Sequence, residues 1–182
     1  MAIVIGIDPG SGVSSDTGFA AFDSETGEVI YALEVGSQRR ELRHRLADIS
    51  STVSALLTEC SQRGKTFAAI ESFVMRGKGG ETLQRLIGAF MATCPDEVYL
   101  TAIQNTTIKK VLAGHGHADK ASVAIGVLQY FETELPNKNT AALIKSLISS
   151  KQFDILDALA IGVSAWQSEK ASVKFPKSKV QQ

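Results

Sequence analysis

Apolar residues in this chain recur with two different periods, and the switches between them mark out strands and helices. Residues 2–8 form a short apolar run rich in β-branched side chains, the pattern of a buried strand. Asp8-Pro9-Gly10-Ser11-Gly12 breaks the run, because proline and glycine punctuate regular structure. Residues 17–22 and 28–35 are two further strand candidates, and the turn-forming residues between them predict a hairpin. Over 38–63 the period changes. Leu42, Leu46, Ile49, Val53, Leu56 and Cys60 fall at spacings of three and four, one stripe of an amphipathic helix that Gly64 ends. Residues 66–71 return to a strand pattern. A loop with glycines and basic residues at 76–80 leads into a helix bearing Leu83, Leu86, Ile87 and Phe90, and 97–103 is the last strand. The remainder reads as helix at 106–113, 120–133 and 153–166. The stretch 136–150 fits either a short helix or a loop insertion, and the lysine- and serine-rich end from 170 is expected to be mobile.

Strands first, then alternating helix and strand, predict an α/β fold with a mixed sheet. No internal repeat or second domain is visible, so the expectation is one domain over residues 1–168 and a basic tail over 169–182. Overall charge argues mildly against a nucleic-acid partner. Lys plus Arg and Asp plus Glu both number 19, so the net charge is zero, whereas nucleic-acid-binding domains are usually basic. A positive surface must then come from local clustering. Arg76, Lys78, Arg85, Lys109, Lys110 and Lys120 are the candidates, with scattered solubilising charge as the alternative. Two cysteines without metal-like spacing, and no export signal, predict a reduced, cytoplasmic setting. No apolar stretch is long enough to span a membrane.

Four acids sit where acids are least expected. Asp8 and Glu71 each end an apolar strand. Asp154 and Asp157 interrupt Phe153-Asp154-Ile155-Leu156-Asp157-Ala158-Leu159-Ala160-Ile161, and a spacing of three puts both on one face of a helix otherwise apolar throughout. Buried unpaired carboxylates cost several kcal/mol each. Divalent cations relieve that cost, and two of them balance four carboxylates. Phosphodiester hydrolysis calls for such a pair, with metals about 3.5–4 Å apart holding the attacking and leaving oxygens. Mg²⁺ suits carboxylate and water ligands, with Mn²⁺ as substitute. Each acid also has a plainer reading: Asp8 as a turn residue before Pro-Gly, Asp154 as a first-turn acid complementing the helix dipole, and Glu71 as a partner of Arg76 or Lys78.

The stretches GIDPGSGVSSDTGFA from Gly6, IESFVM from Ile70, GHGHADK from Gly114 and FDILDALAIG from Phe153 together resemble the RuvC family of Holliday-junction resolvases. The opening Asp-Pro-Gly is shared with other RNase H-like proteins. The order strand Asp, strand Glu, Gly-x-Gly-x-Ala-x-Lys, then Asp-x-x-Asp-Ala-Leu-Ala is the specific part. The resemblance implies an RNase H-like fold with a mixed five-stranded sheet flanked by helices. It implies a homodimer that binds a four-way junction and makes paired symmetric nicks, with Mg²⁺ held by Asp8, Glu71, Asp154 and Asp157. It also implies that Lys120 lies near the scissile phosphate and that Phe73 packs against junction bases, although Phe73 follows the glutamate by two residues rather than three. The loop 10–17, which contains Asp16, is about two residues longer than the family's, and 136–150 is enlarged, so no interaction with a branch-migration motor is assumed. Arg76, Lys78, Lys109 and Lys110 are the expected further DNA contacts.

Three other readings remain. A related nuclease acting on flaps, other branched DNA or RNA–DNA hybrids keeps the chemistry and changes the substrate. A protein that binds structured DNA without cutting it has no need of four carboxylates. An actin-like ATPase needs two such domains, and 182 residues are too few. His115 and His117 form an incidental His-x-His in a polar loop, and Trp166 is expected to pack in the core or in a dimer interface.

Overall fold

Strand alternation divides the molecule into two cores, one on each side of a sheet. The computed structural model describes residues 1–10, 16–72 and 80–174. Strands β1 (Ala2–Asp8), β2 (Thr17–Asp23), β3 (Val29–Val35), β4 (Lys65–Ser72) and β5 (Val98–Gln104) form one sheet in the order β3-β2-β1-β4-β5. β1 runs antiparallel to β2 and parallel to β4, and β4 is parallel to β5, so the expected mixed five-stranded sheet is present. Successive side chains of a strand face opposite ways. Ile3, Ile5 and Ile7 therefore point into one core, completed by Ile49, Val53 and Leu57 of helix α1 (Leu42–Arg63) and by Leu86 and Phe90 of helix α2 (Gly80–Ala92). Val4 points into the other core, with Ala20, Phe22, Phe67 and Ala69. That core is closed by helices α3 (Asn105–Ala113), α4 (Lys120–Gln129), α5 (Lys138–Ser150) and α6 (Phe153–Lys174).

α6 is the central helix. Every residue from Ile155 to Ala165 except Asp157 is buried, as an all-round apolar helix should be. It lies on the sheet almost backbone to backbone. A Cβ built on Gly6 of β1 would stand 1.8 Å from the carbonyl oxygen of Ala158, and one on Gly18 of β2 would stand 1.9 Å from that of Asp154. Only glycine allows this approach.

The boundaries differ from the sequence reading in instructive places. α1 starts at Leu42 rather than 38, because the backbone is still extended at Glu41; ahead of it Ser37 donates its hydroxyl to Asp48 (2.8 Å). The helix expected over 120–133 gives way after Gln129 to a π-helical turn, Tyr130–Glu134, which lets Tyr130 and Phe131 both enter the core. α6 continues past 166 to Lys174, into the stretch expected to be tail. Trp166 packs edge-on against Phe67, ring centroids 5.6 Å apart.

The stretch left open as helix or loop is the helix α5. Asn137 caps it by accepting from the Thr140 amide at 3.0 Å, and Ala141, Ile144 and Leu147 are its buried stripe. It docks on the β2–β3 turn, where Thr140 Oγ1 donates to the Gly27 carbonyl (2.8 Å) and accepts from the Val29 amide (3.2 Å). Thr140→Val keeps the shape and orphans both backbone groups, so it is expected to destabilise the protein by about 1–3 kcal/mol. Urea denaturation checks this, and an unchanged midpoint would mean that α5 is held without these bonds.

Candidate active site

Period-two alternation continues to the ends of the strands, and there it places acids instead of apolar side chains. Val4, Gly6 and Asp8 share the α6 side of β1, as Phe67, Ala69 and Glu71 share that side of β4. The parallel register pairs Ile7 with Ile70, so Asp8 and Glu71 follow side by side at the same end of the sheet. The chain beyond Asp8 is pinned by Thr17, whose buried hydroxyl donates to the Gly10 carbonyl at 2.8 Å and accepts from its amide at 3.2 Å. α6 begins above this end. Its first two turns carry Asp154 and Asp157, and the contact of Gly18 with the Asp154 carbonyl sets their height over the sheet.

The four acids feel one another. Burial, and then the charges of Asp157, Glu71 and Asp154, push the Asp8 carboxyl up to about 7, against partial relief from Lys120. Burial raises Glu71 as well, opposed by a hydrogen bond from Asn105. Asp154 is raised chiefly by burial, with Lys120 opposing and Asp157 and Asp16 adding to it. Asp154 does stand in the first turn of α6, where the helix dipole favours it, but its surroundings disfavour its charge overall. Glu34 of β3 is a neighbouring acid raised by burial and by Asp154 and Asp16.

Among the described residues Lys120 is the cation that bonds one of them. Lys120, first residue of α4, places Nζ 2.6 Å from Asp157 Oδ2 and 5.8 Å from the centroid of the Phe153 ring. Burial pulls the ammonium down, but the bond and charge of Asp157, with Asp8 and Asp154, outweigh it and hold the ammonium above its ordinary range. Beside this pair Glu71, Asn105, Lys109, Lys120 and Asp157 rim a cavity of about 110 Å³ with an apolar floor that includes Ile108 and Val123. Among the described residues, no group of three or more His, Cys, Asp or Glu side chains is drawn tightly enough around one point to hold a metal ion as it stands.

Of the expected site residues, the structure brings together Asp8, Glu71, Asp154, Asp157, Lys120 and Lys109. Lys110 leans elsewhere, its Cε against Gly116. Arg85 lies on α2, in the opposite layer, paired with Glu81 at 2.6 Å, so it adds nothing to a basic surface here. Phe73, Arg76 and Lys78 lie outside the described residues. Sequence reasoning missed Asn105 and Glu34. Asn105 opens a helix directly after a strand that ends level with Ser72, one residue past Glu71, and an asparagine at that junction was the available signal.

No curated protein sequence matches the chain significantly. The family model described as crossover junction endodeoxyribonuclease RuvC matches residues 4–165, which include all four acids and Lys120. The chain belongs to the RuvC family. Two solved structures of RuvC from Thermus thermophilus are similar to it, each covering 93% of this chain and 96% of that one. One, described as a complex with Holliday junction substrate, has a TM-score of 0.66 at 23% identity. The other has a TM-score of 0.64 at 22% identity. The mixed sheet flanked by helices is thus the RNase H-like fold of RuvC, with β1, β4 and α6 presenting its acids. Among the described residues no helix is long and apolar enough to cross a membrane.

Proposed function

We propose that this chain resolves four-way DNA junctions by paired symmetric nicks, with Asp8, Glu71, Asp154 and Asp157 as the ligands of two Mg²⁺ ions, for which Mn²⁺ substitutes. The observation that carries this reading is the meeting of four acids from three separate stretches at one end of the sheet, in a member of the RuvC family. The donor set fits the metal. Its oxygens are hard anionic ligands, and a cation placed among these acids would offset the burial, and then the repulsion, that raise Asp8. When bound, the ions supply activated water and stabilise the charge that develops on the phosphate.

The chain's own residues do the rest. Asp8 and Glu71 stand on strand ends, and Asp154 and Asp157 on a helix locked to the sheet, so the backbone of each ligand is held in place and its side chain alone would turn to close on an ion. Lys120 lends a positive charge beside Asp157, placed for the scissile phosphate. Lys109 offers a second phosphate contact from α3. Phe73, Arg76 and Lys78 complete the proposed DNA-binding set. Two nicks in a twofold-symmetric junction call for two sites, hence a homodimer. The similar Thermus protein, described in complex with Holliday junction substrate, supports junction DNA as the ligand. Acting on DNA, the protein is placed in the cytoplasmic compartment.

The test is cleavage of a labelled synthetic four-way junction with Mg²⁺, beside a linear duplex, a flap and an RNA–DNA hybrid of matched sequence. Paired nicks confined to the junction are expected, with binding that falls steeply as salt rises. Cutting of the flap or hybrid instead would keep the acidic site and overturn the substrate. No cutting of any of them would leave a junction-binding protein.

A further inference from the structure

α3 begins with a residue poorly suited to beginning a helix. Asn105 follows Gln104 with no intervening loop, at the first helical position, where proline or a good helix former is the better choice. Asparagine at a helix start ordinarily serves as the cap, accepting from the helix's free amides. Here the cap position is held by Gln104, which makes no side-chain cap bond, and the Asn105 amide turns outward: Nδ2 donates to Glu71 Oε1 at 2.8 Å. Local preference has been set aside, and the bond that replaces it ends on one of the four acids. Such departures concentrate at functional sites.

The topology makes the contact unavoidable. β5 runs parallel to β4 with Ile103 beside Glu71 and Gln104 beside Ser72, so the first residue of α3 arises next to the Glu71 side chain. A glutamate has three side-chain torsions and, at a strand end, room to use them. A donor fixed on a helix backbone engages one carboxylate oxygen and leaves the other for a cation.

Resting on the four-acid reading of the site, we propose that Asn105 is a positioning residue for the metal site: it holds the Glu71 carboxylate in its ligating orientation, so divalent-metal affinity depends on it although it is no ligand itself. Groups that orient metal ligands in this way contribute about 10–100-fold to metal affinity.

The experiment is titration of the full-length, metal-free protein with Mn²⁺, followed by calorimetry and by the paramagnetic signal of free Mn²⁺. Asn105→Ala is expected to weaken Mn²⁺ binding about 10–100-fold. Its metal-free melting temperature should stay close to that of the unaltered protein, since alanine is well tolerated at a helix start. Asn105→Gln, which keeps an amide donor on a longer arm, is expected to recover part of the affinity. Mn²⁺ affinity in Asn105→Ala within twofold of the unaltered protein, while Glu71→Gln loses binding, overturns the positioning role and leaves the four-acid reading intact. Failure of the unaltered chain to bind Mn²⁺ overturns both.

Discussion

Asp8→Asn is expected to abolish junction cleavage and, at the same time, to make the metal-free protein more stable at pH 8. The two effects share a cause. Asp8 is held at about 7 by burial and by the charges of Asp157, Glu71 and Asp154, whereas in the unfolded chain an aspartate titrates near 4. Below pH ~4 both states are protonated and the shift has no effect on stability. As the pH climbs from ~4 to ~7 the unfolded chain gives up its proton and the folded one keeps it, so stability declines across that window. Above pH ~7 the loss is complete, on the order of 2–4 kcal/mol. Asparagine has the same shape and no charge, so Asp8→Asn is expected to melt higher than the unaltered protein at pH 8 in a chelator, with the gap closing towards pH 4. Adding Mg²⁺ should raise the melting temperature of the unaltered protein and act much less on the variant. The lost metal ligand removes several kcal/mol of transition-state stabilisation, about a thousandfold or more in rate. Melts at the two pH values, in chelator and in Mg²⁺, together with single-turnover cleavage, check both halves. A variant less stable than the unaltered protein at pH 8 in chelator would show that Asp8 is wanted for packing rather than for metal.

Gly18→Ala is the second large effect. The added methyl would sit 1.9 Å from the Asp154 carbonyl oxygen, backbone against backbone, with no flexible side chain to give way. The first turn of α6 must move, and overpacking of this kind costs about 3 kcal/mol or more. Because Asp154 and Asp157 ride on the part that moves, cleavage is expected to fall about 100-fold even where the protein remains folded, as for other displacements near 1 Å. Gly88→Ala in α2 is the control. Nothing lies within 4 Å of its added Cβ, so it is expected to be neutral or to stabilise by about 0.5–1 kcal/mol, with cleavage unchanged. Thermal melts and cleavage rates of the two variants side by side decide the matter. Equal behaviour of the two would mean that α6 is not fixed by its contact with β2.

Much of this was legible in the residues themselves. Asp8 and Glu71 ended apolar runs, and the spacing of Asp154 and Asp157 on an otherwise apolar helix placed them on one face. Both signals survived folding because strand alternation and helix periodicity are local properties. What the sequence withheld depends on pairs distant along the chain. Asn105 matters only because β5 lies beside β4 in a register that brings Gln104 level with Ser72. Glu34 joins the acids only because Gly18 stands between β3 and β1. α5 was left open because Asn137 Nδ2 and the Thr140 hydroxyl bond to a turn more than a hundred residues earlier. Arg85 looked available for DNA until the fold assigned α2 to the far layer.

The closeness of α6 to the sheet also bears on how such a protein changes over generations. The two aspartates cannot drift relative to Asp8 without unseating the central helix, so their geometry is inherited together with the core. α5 gives Ala141, Ile144 and Leu147 to the core but none of the four acids, so changes there bear on stability before they bear on the site. A descendant that abandons cleavage is therefore expected to do so by replacing an acid outright, leaving an intact scaffold that still fits its DNA.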